Sequence, residues 1–186
     1  VIYTQGKLTR LRDKRLEDAS LDYVWQTDPE LSRLDAAEPL TIPFRTFLGE
    51  YLFVLENSLA LRVQFGIETL KGEYIGYCAC YNLDSAAAEA EVGIMIGQKE
   101  YWEKGYGSDA LRQMIDYAFK GLKLKRLHLK TLYDNSRAQL CFKKCGFKPF
   151  AEKESGQYRF LLMELLKADW LNNKDMLAED CQPNKV

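Results

Sequence analysis

The sequence predicts a mixed α/β domain, a sheet of about seven strands with helices on both faces, and three patterns carry that prediction. Apolar residues alternate with period two at Leu61, Val63, Phe65 and Ile67 and again from Ile75 to Leu83, the mark of half-buried strands. Leu111, Met114, Ile115, Ala118 and Leu122 recur at three and four, which draws one buried stripe along a helix. Between these patterns, the run Tyr101-Trp102-Glu103-Lys104-Gly105-Tyr106-Gly107-Ser108-Asp109-Ala110-Leu111 joins an apolar strand to that helix.

The elements follow in order. Lys7 to Arg12 reads as a short first strand, and Leu16 to Thr27 as a helix with Ala19, Tyr23 and Val24 at helical spacing. Pro29, Pro39 and Pro43, with Asp35 and Glu38, read as a loop. Pro43 suits the first turn of a second helix reaching about Glu56, because a fixed φ and a missing N–H cost nothing there. The two alternating runs flank Lys71-Gly72 and predict a hairpin. A small-residue loop from Asp84 to Ala88 precedes a strand at Ala90 to Ile96, which feeds the glycine turn and the long helix. Arg126 to Leu132 alternates again, Asn135 is placed to cap the next helix, and Gly146 to end it. Residues 147–153 and 157–166 form a last strand pair turning at Ser155-Gly156. One domain over residues 1–171 holds all of these, and 172–186 reads as a loose polar tail.

Composition narrows the function. The chain of 186 residues carries 26 basic and 27 acidic side chains, net −1, so it lacks the basic excess of a nucleic-acid binder. No apolar run approaches the roughly 18 residues of a spanning helix, and no charged start leads into an apolar block, so a cytoplasmic protein without membrane association is expected. Five cysteines at scattered spacings and a single histidine fit neither a disulfide framework nor a metal site. Cys78 and Cys80 share a strand face, Cys141 and Cys145 lie one helical turn apart, and all read as reduced, buried thiols. His128, flanked by Leu127 and Leu129, reads as structural or surface, which leaves no Ser-His-Asp or Cys-His arrangement.

The glycine turn reads as a seat for phosphate. Gly105 and Gly107 let backbone N–H groups approach an anion, and the helix that starts there adds the positive end of its dipole. The spacing Gly105-x-Gly107-x-x-Ala110 also fits a dinucleotide fingerprint. Here, however, Gln98 to Lys104 separate the strand from the first glycine, and the region about 20 positions on reads Lys123-Leu124-Lys125-Arg126, with no acid for a ribose. No lysine followed by Ser or Thr comes after Gly107, so a P-loop fits less well still.

Four blocks in order, Ala90-Glu91-Val92-Gly93, the glycine turn, Asn135-Ser136-Arg137-Ala138 and Lys144-Cys145-Gly146-Phe147, resemble the signature of the GNAT superfamily of N-acetyltransferases. Within it the chain resembles the branch of the ribosomal-protein N-terminal (RimJ/RimL-like) acetyltransferases, from about Leu8 to Leu166. The resemblance implies a GNAT-like, mostly antiparallel central sheet and acetyl-coenzyme A as cosubstrate, with no metal. It implies that the backbone of Met95, Ile96 and Gly97 pairs with the pantetheine arm. N–H groups from Trp102, Glu103, Lys104, Gly105, Tyr106, Gly107 and Ser108 would hold the pyrophosphate, and Asn135 would bond the arm. Trp102 stands where many members carry Gln or Arg and reads as packing with a cofactor contact. Phe142, also counted at the cofactor site, stands where many members place a tyrosine that protonates the leaving thiolate, and phenylalanine cannot.

Acetyl transfer to an amine needs a neutral nucleophile, so a base must take the ammonium proton at neutral pH. Glu91 is the candidate, with Glu89 next, because period two puts both on the face of Met95. For the oxyanion, the resemblance implies a backbone N–H near Met95 or Gly97. The acceptor is expected against Asp28 to Phe44, where Asp35 and Glu38 would attract a cation, and it is a protein N-terminus or a small-molecule amine. A reading of another class is a non-catalytic acyl-coenzyme A sensor of the same fold, which Phe142 favours and Glu91 opposes. Monomer and homodimer both remain open.

Overall fold

The protein is described from a computed structural model covering residues 1–57 and 62–172. Its strands are β1 (Ile2–Gln5), β2 (Thr9–Asp13), β3 (Val63–Thr69), β4 (Tyr74–Asp84), β5 (Glu89–Ile96), β6 (Arg126–Leu132), β7 (Lys148–Ser155) and β8 (Tyr158–Leu166). They form one open sheet in the order β1-β2-β3-β4-β5-β6-β8-β7. Every neighbouring pair is antiparallel except β5 and β6. That exception has a topological cause: a parallel pair needs a crossover, and α4 (Tyr106–Asp116) with a wide turn at Tyr117–Gly121 supplies it.

The other helices are α1 (Ala19–Thr27), α2 (Pro29–Leu34), α3 (Phe44–Glu56) and α5 (Ser136–Lys144). One sheet face carries the main core, in which Leu111, Met114, Ile115 and Phe119 meet Val92, Leu127, Leu129 and Met163. On the other face Trp25, Leu31 and Tyr74 pack with Tyr77, Met95 and Trp102. Both faces are therefore covered, as alternation along β4 and β5 requires.

Four elements depart from the sequence reading. The sheet has eight strands because Ile2–Gln5 pairs with β2, and its mostly exposed residues gave no buried period to detect. The first expected strand starts at Thr9, since Gly6 N–H closes a turn onto Thr9 O at 2.8 Å. The expected loop at Pro29 is a helix. Asp28 accepts the N–H groups of Glu30 and Leu31 at 2.8 and 3.1 Å, and Pro29 sits at the first helical position, so the proline starts a helix here. Residues 167–172 are also helical and bury Trp170 against Phe119, ring centroids 5.3 Å apart. Leu61 and the tail from 173 onward lie outside the described residues.

Candidate active site

The parallel pairing of β5 and β6 runs only through Glu89–Arg126, Ala90–Leu127 and Glu91–His128. Beyond Glu91 the strands part, while β5 stays paired with β4 as far as Ile96–Gly76 and β6 with β8 as far as Leu132–Phe160. A cleft of about 290 Å³ occupies the gap. Its walls are Ile94, Met95 and Ile96 of β5, residues of the turn from Tyr101 to Ser108, α5 from its cap Asn135 to Lys144, and Leu31, Leu34 and Asp35. Because β5 alternates, Ile94 and Ile96 pack toward the α4 side and Met95 toward the α1 side, so the cleft passes through the sheet.

The open edge of β5 has unpaired backbone. Gly97 N–H donates to Ile75 O at 3.0 Å, and backbone groups alternate between edges, so Met95 and Gly97 face β4 while Ile94 and Ile96 face the gap. Of the expected triplet, Ile96 is thus the residue turned to the cleft, and its carbonyl accepts the Trp102 indole N–H at 2.6 Å. Gly97 has to be glycine, since a Cβ there would lie 2.0 Å from the Trp25 ring.

The glycine turn presents a curl of backbone N–H groups at the cleft. Glu103 and Gly105 are both left-handed, φ 59° and 88°, a curl that points successive N–H groups inward. Gly105 precedes α4 with no side-chain cap, and Asp109 N–H is the first to find an intrahelical acceptor, Gly105 O at 2.9 Å. The N–H groups of Tyr106, Gly107 and Ser108 are therefore free of the helix ladder. Asp109, the acid of this first turn, is directed elsewhere: its carboxylate accepts Lys7, Leu8 and Thr9 N–H and the Thr9 hydroxyl at 2.7–3.0 Å. Burial pushes its pKa up, yet those bonds outweigh it and hold the pKa below the usual carboxylate value.

Glu91 sits at the vertex where the strands part. Its side chain is 12% exposed, Lys130 Nζ lies 4.0 Å away, and its oxygens accept from the Tyr81 hydroxyl at 3.0 Å and the Asn82 amide at 3.1 Å. Burial and then Glu91 push the Tyr81 pKa up. Glu89 is committed to Arg126 at 2.8 Å, which also holds Glu164. Asn135 caps α5 by accepting Ala138 N–H at 3.1 Å and also lines the cleft. Phe142 lines it too and packs on Phe147.

Trp102, Glu103, Gly105, Gly107 and Ser108 reach the cleft wall, whereas Glu91, Gly97, Lys104 and Tyr106 do not. Tyr106 instead stacks edge-on against Tyr101 at 4.7 Å. Asp35 lines the cleft and Glu38 does not. Burial pushes the Asp35 pKa up and Lys130 opposes it, but the residue is exposed at the cleft mouth, so water screens both effects. Among the cleft residues, Leu31 and Leu34 were hidden in a supposed loop, and Arg137 stood in the Asn135-Ser136-Arg137-Ala138 block with no role assigned to it. The Arg137 guanidinium lies 3.3 Å from the centre of the Trp102 ring. Cys141 also lines the cleft, and a hydrogen bond from Cys145 lowers its pKa.

Residues 9–148 match the acetyltransferase (GNAT) domain family. The chain belongs to the GNAT family. Its relatives agree: the uncharacterised N-acetyltransferase p20 of Bacillus licheniformis is 31% identical over 176 residues, 88% of this chain and 96% of that one. YdaF of Bacillus subtilis (strain 168), named as a candidate ribosomal N-acetyltransferase, is 28% identical over 151 residues, 68% of this chain and 82% of its own. Among solved structures, a spermidine N-acetyltransferase of Vibrio cholerae in complex with CoA and spermine superposes with a TM-score of 0.78. It is 19% identical over 88% of this chain and 98% of that one, a likeness of fold. This GNAT chain is accordingly an N-acetyltransferase.

Proposed function

We propose that this GNAT chain moves an acetyl group from acetyl-coenzyme A to a primary amine by direct attack in a ternary complex. The observation that carries the reading is the cleft through the sheet, with different chemistry at its two ends. On the α4 side it offers free helix N–H groups and a curled glycine turn, which suit a pyrophosphate. On the α1 side Asp35 lines it and Glu91 lies at its vertex, which suits a cation. The open edge of β5 suits an extended amide-bearing arm laid down as an added strand.

Acetyl-coenzyme A supplies the activated acyl group and a thiolate leaving group. Glu91 takes the ammonium proton through a water, being set back from the cleft wall. The freed amine lone pair forms the C–N bond, the C–S bond then breaks, and the nitrogen's second proton passes to water, from which the departed thiolate can take it. The N–H groups of Ile94 and Ile96 are oriented to stabilise the oxyanion. Phe142 donates no proton, so the sulfur departs as thiolate, which a thiol pKa of about 8.5 allows. Spermine in the fold neighbour and the ribosomal assignment of YdaF both support an amine acceptor, small-molecule or protein.

The test is free-thiol release from acetyl-coenzyme A with a panel of polyamines, amino sugars and peptides with free N-termini, products identified by mass. Turnover with at least one amine is expected, and none on any would sink the reading. Glu91→Gln is expected to lower kcat about 10²–10⁴-fold at neutral pH, with partial recovery at high pH where the amine is already neutral. Full activity of that variant at every pH would remove Glu91 as the base.

A further inference from the structure

We propose that Arg137 is a phosphate-binding side chain of the cofactor site, held ready on the Trp102 ring until the cofactor brings its anion. This rests on the acetyl-coenzyme A reading above. Arg137 and Lys144 line the cleft, while Lys99 and Arg33 stand beside it on contacts to α2 and its cap, and these flanking cations are treated differently from Arg137. Lys99 is neutralised by Asp28 and Glu30 at 2.8 and 2.7 Å, and Arg33 by Asp134 at 3.2 Å. Arg137 bonds no described carboxylate. Glu103 and Glu30 pull on it only through space, too weakly to offset the burial that lowers its pKa.

A guanidinium stays charged at neutral pH, and removing it from water without an anion is unfavourable. Its partner is an aromatic face, a contact worth about 0.5–2 kcal/mol. The placement explains the choice. Arg137 stands on the first turn of α5, and Trp102 stands on the opposite wall, tied to Ile96 O. Both line the same cleft as Gly105, Gly107 and Ser108. An unpaired guanidinium and the free N–H groups of α4 therefore face one space, and each calls for negative charge. A stacked guanidinium keeps its N–H edges available, so a phosphate can be gripped by two parallel bonds without the ring contact being given up.

The test is calorimetric titration of the full chain with coenzyme A, dephospho-coenzyme A and acetyl-pantetheine, comparing wild type with Arg137→Gln and Arg137→Lys. Arg137→Gln is expected to weaken coenzyme A about 10- to 100-fold, the size of a lost charge-assisted bond. Acetyl-pantetheine affinity and the acceptor KM should hold, and Arg137→Lys should fall between, having charge without the fork. An equal loss with dephospho-coenzyme A assigns the contact to the pyrophosphate; a loss confined to coenzyme A assigns it to the 3′-phosphate. Unchanged coenzyme A affinity in Arg137→Gln overturns the proposal, as does an equal loss with acetyl-pantetheine, which marks a packing role. If Arg137→Gln does not fold, Arg137→Lys with wild-type affinity for every ligand overturns it. Wild type binding coenzyme A but acetylating no amine would defeat the transfer reading and leave Arg137 standing. Wild type failing to bind it defeats both.

Discussion

Two sets of charges in this molecule are handled in opposite ways. Beneath α1, Arg12 forks onto Asp18 at 2.8 and 2.7 Å and reaches Glu68 at 3.0 Å. Beside it Lys14 bonds Asp22 and the Tyr74 hydroxyl, which itself donates to Asp22 at 2.6 Å. No side chain of these ion pairs is more than 9% exposed. At the cleft mouth, Lys99 and Arg33 pair in the open, 41% and 55% exposed, and Arg137 bonds no carboxylate among the described residues. Charge sealed from water has to be matched group for group, because each unmatched ion there costs several kcal/mol. The paired charges at the mouth are screened and cheap to rearrange, whereas Arg137, partly withdrawn from water, rests on the Trp102 ring.

The sharpest way to break that contrast is to halve a buried pair. Asp22→Ala leaves the Lys14 ammonium, whose pKa burial already lowers, with Asp18 at 4.0 Å as its nearest carboxylate. A loss of about 3–5 kcal/mol is expected in urea unfolding. Replacing both partners, Lys14→Met with Asp22→Leu, should recover much of it, since the cost lies in the orphaned charge. A double variant as unstable as the single one would mean that the pair contributes packing rather than charge balance.

Asp109 lies between the two regimes, an acid of α4 whose shortest bonds come from Lys7, Leu8 and Thr9, with a longer one from the Gln113 amide at 3.3 Å. Its folded pKa is below its unfolded value, so its stabilisation is present above the unfolded pKa and is lost as pH falls through the folded one. Asp109→Asn should therefore cost about 1–2 kcal/mol at pH 7. The gap should hold down to about pH 5 and shrink below about pH 4. A gap of the same size at pH 3 would assign the effect to shape and not to charge.

How far the chain announces this arrangement depends on whether a feature is local. The β3–β4 hairpin, the α4 stripe and the Asn135 cap are written in neighbouring residues, and the structure places them within a few positions of expectation. β1 had no buried alternation to show, and α2 was hidden because Pro29 reads equally as a breaker and as a first helical residue. The left-handed glycine turn leading into α4 was legible since its pattern lies in a few consecutive residues. Which backbone groups of β5 face the gap depends on pairing with β4, so the Met95 and Gly97 N–H groups could not be told from those of Ile94 and Ile96. The Trp102–Arg137 stack joins residues on two walls, with no periodicity to link them. Asp35 was legible as a charge, and only α2 carries it to the cleft.

The smallest effects should come from the paired cations of the mouth. Arg33→Ala removes a contact between α2 and the loop before α5, and Lys99→Ala removes two contacts between α2 and the turn after β5. Exposed pairs are held by little, and salt screens them. Each variant should unfold at the wild-type midpoint and bind coenzyme A with wild-type affinity. That outcome separates Arg137 from the paired cations beside the cleft, since it would then govern coenzyme A affinity where they do not. The opposite outcome, Lys99→Ala or Arg33→Ala weakening coenzyme A as far as Arg137→Gln does, would mean that α2 is strapped to both walls as a working part of the site. The contrast between waiting and neutralised cations would then give way to a single ionic rim that holds the cleft at its working width.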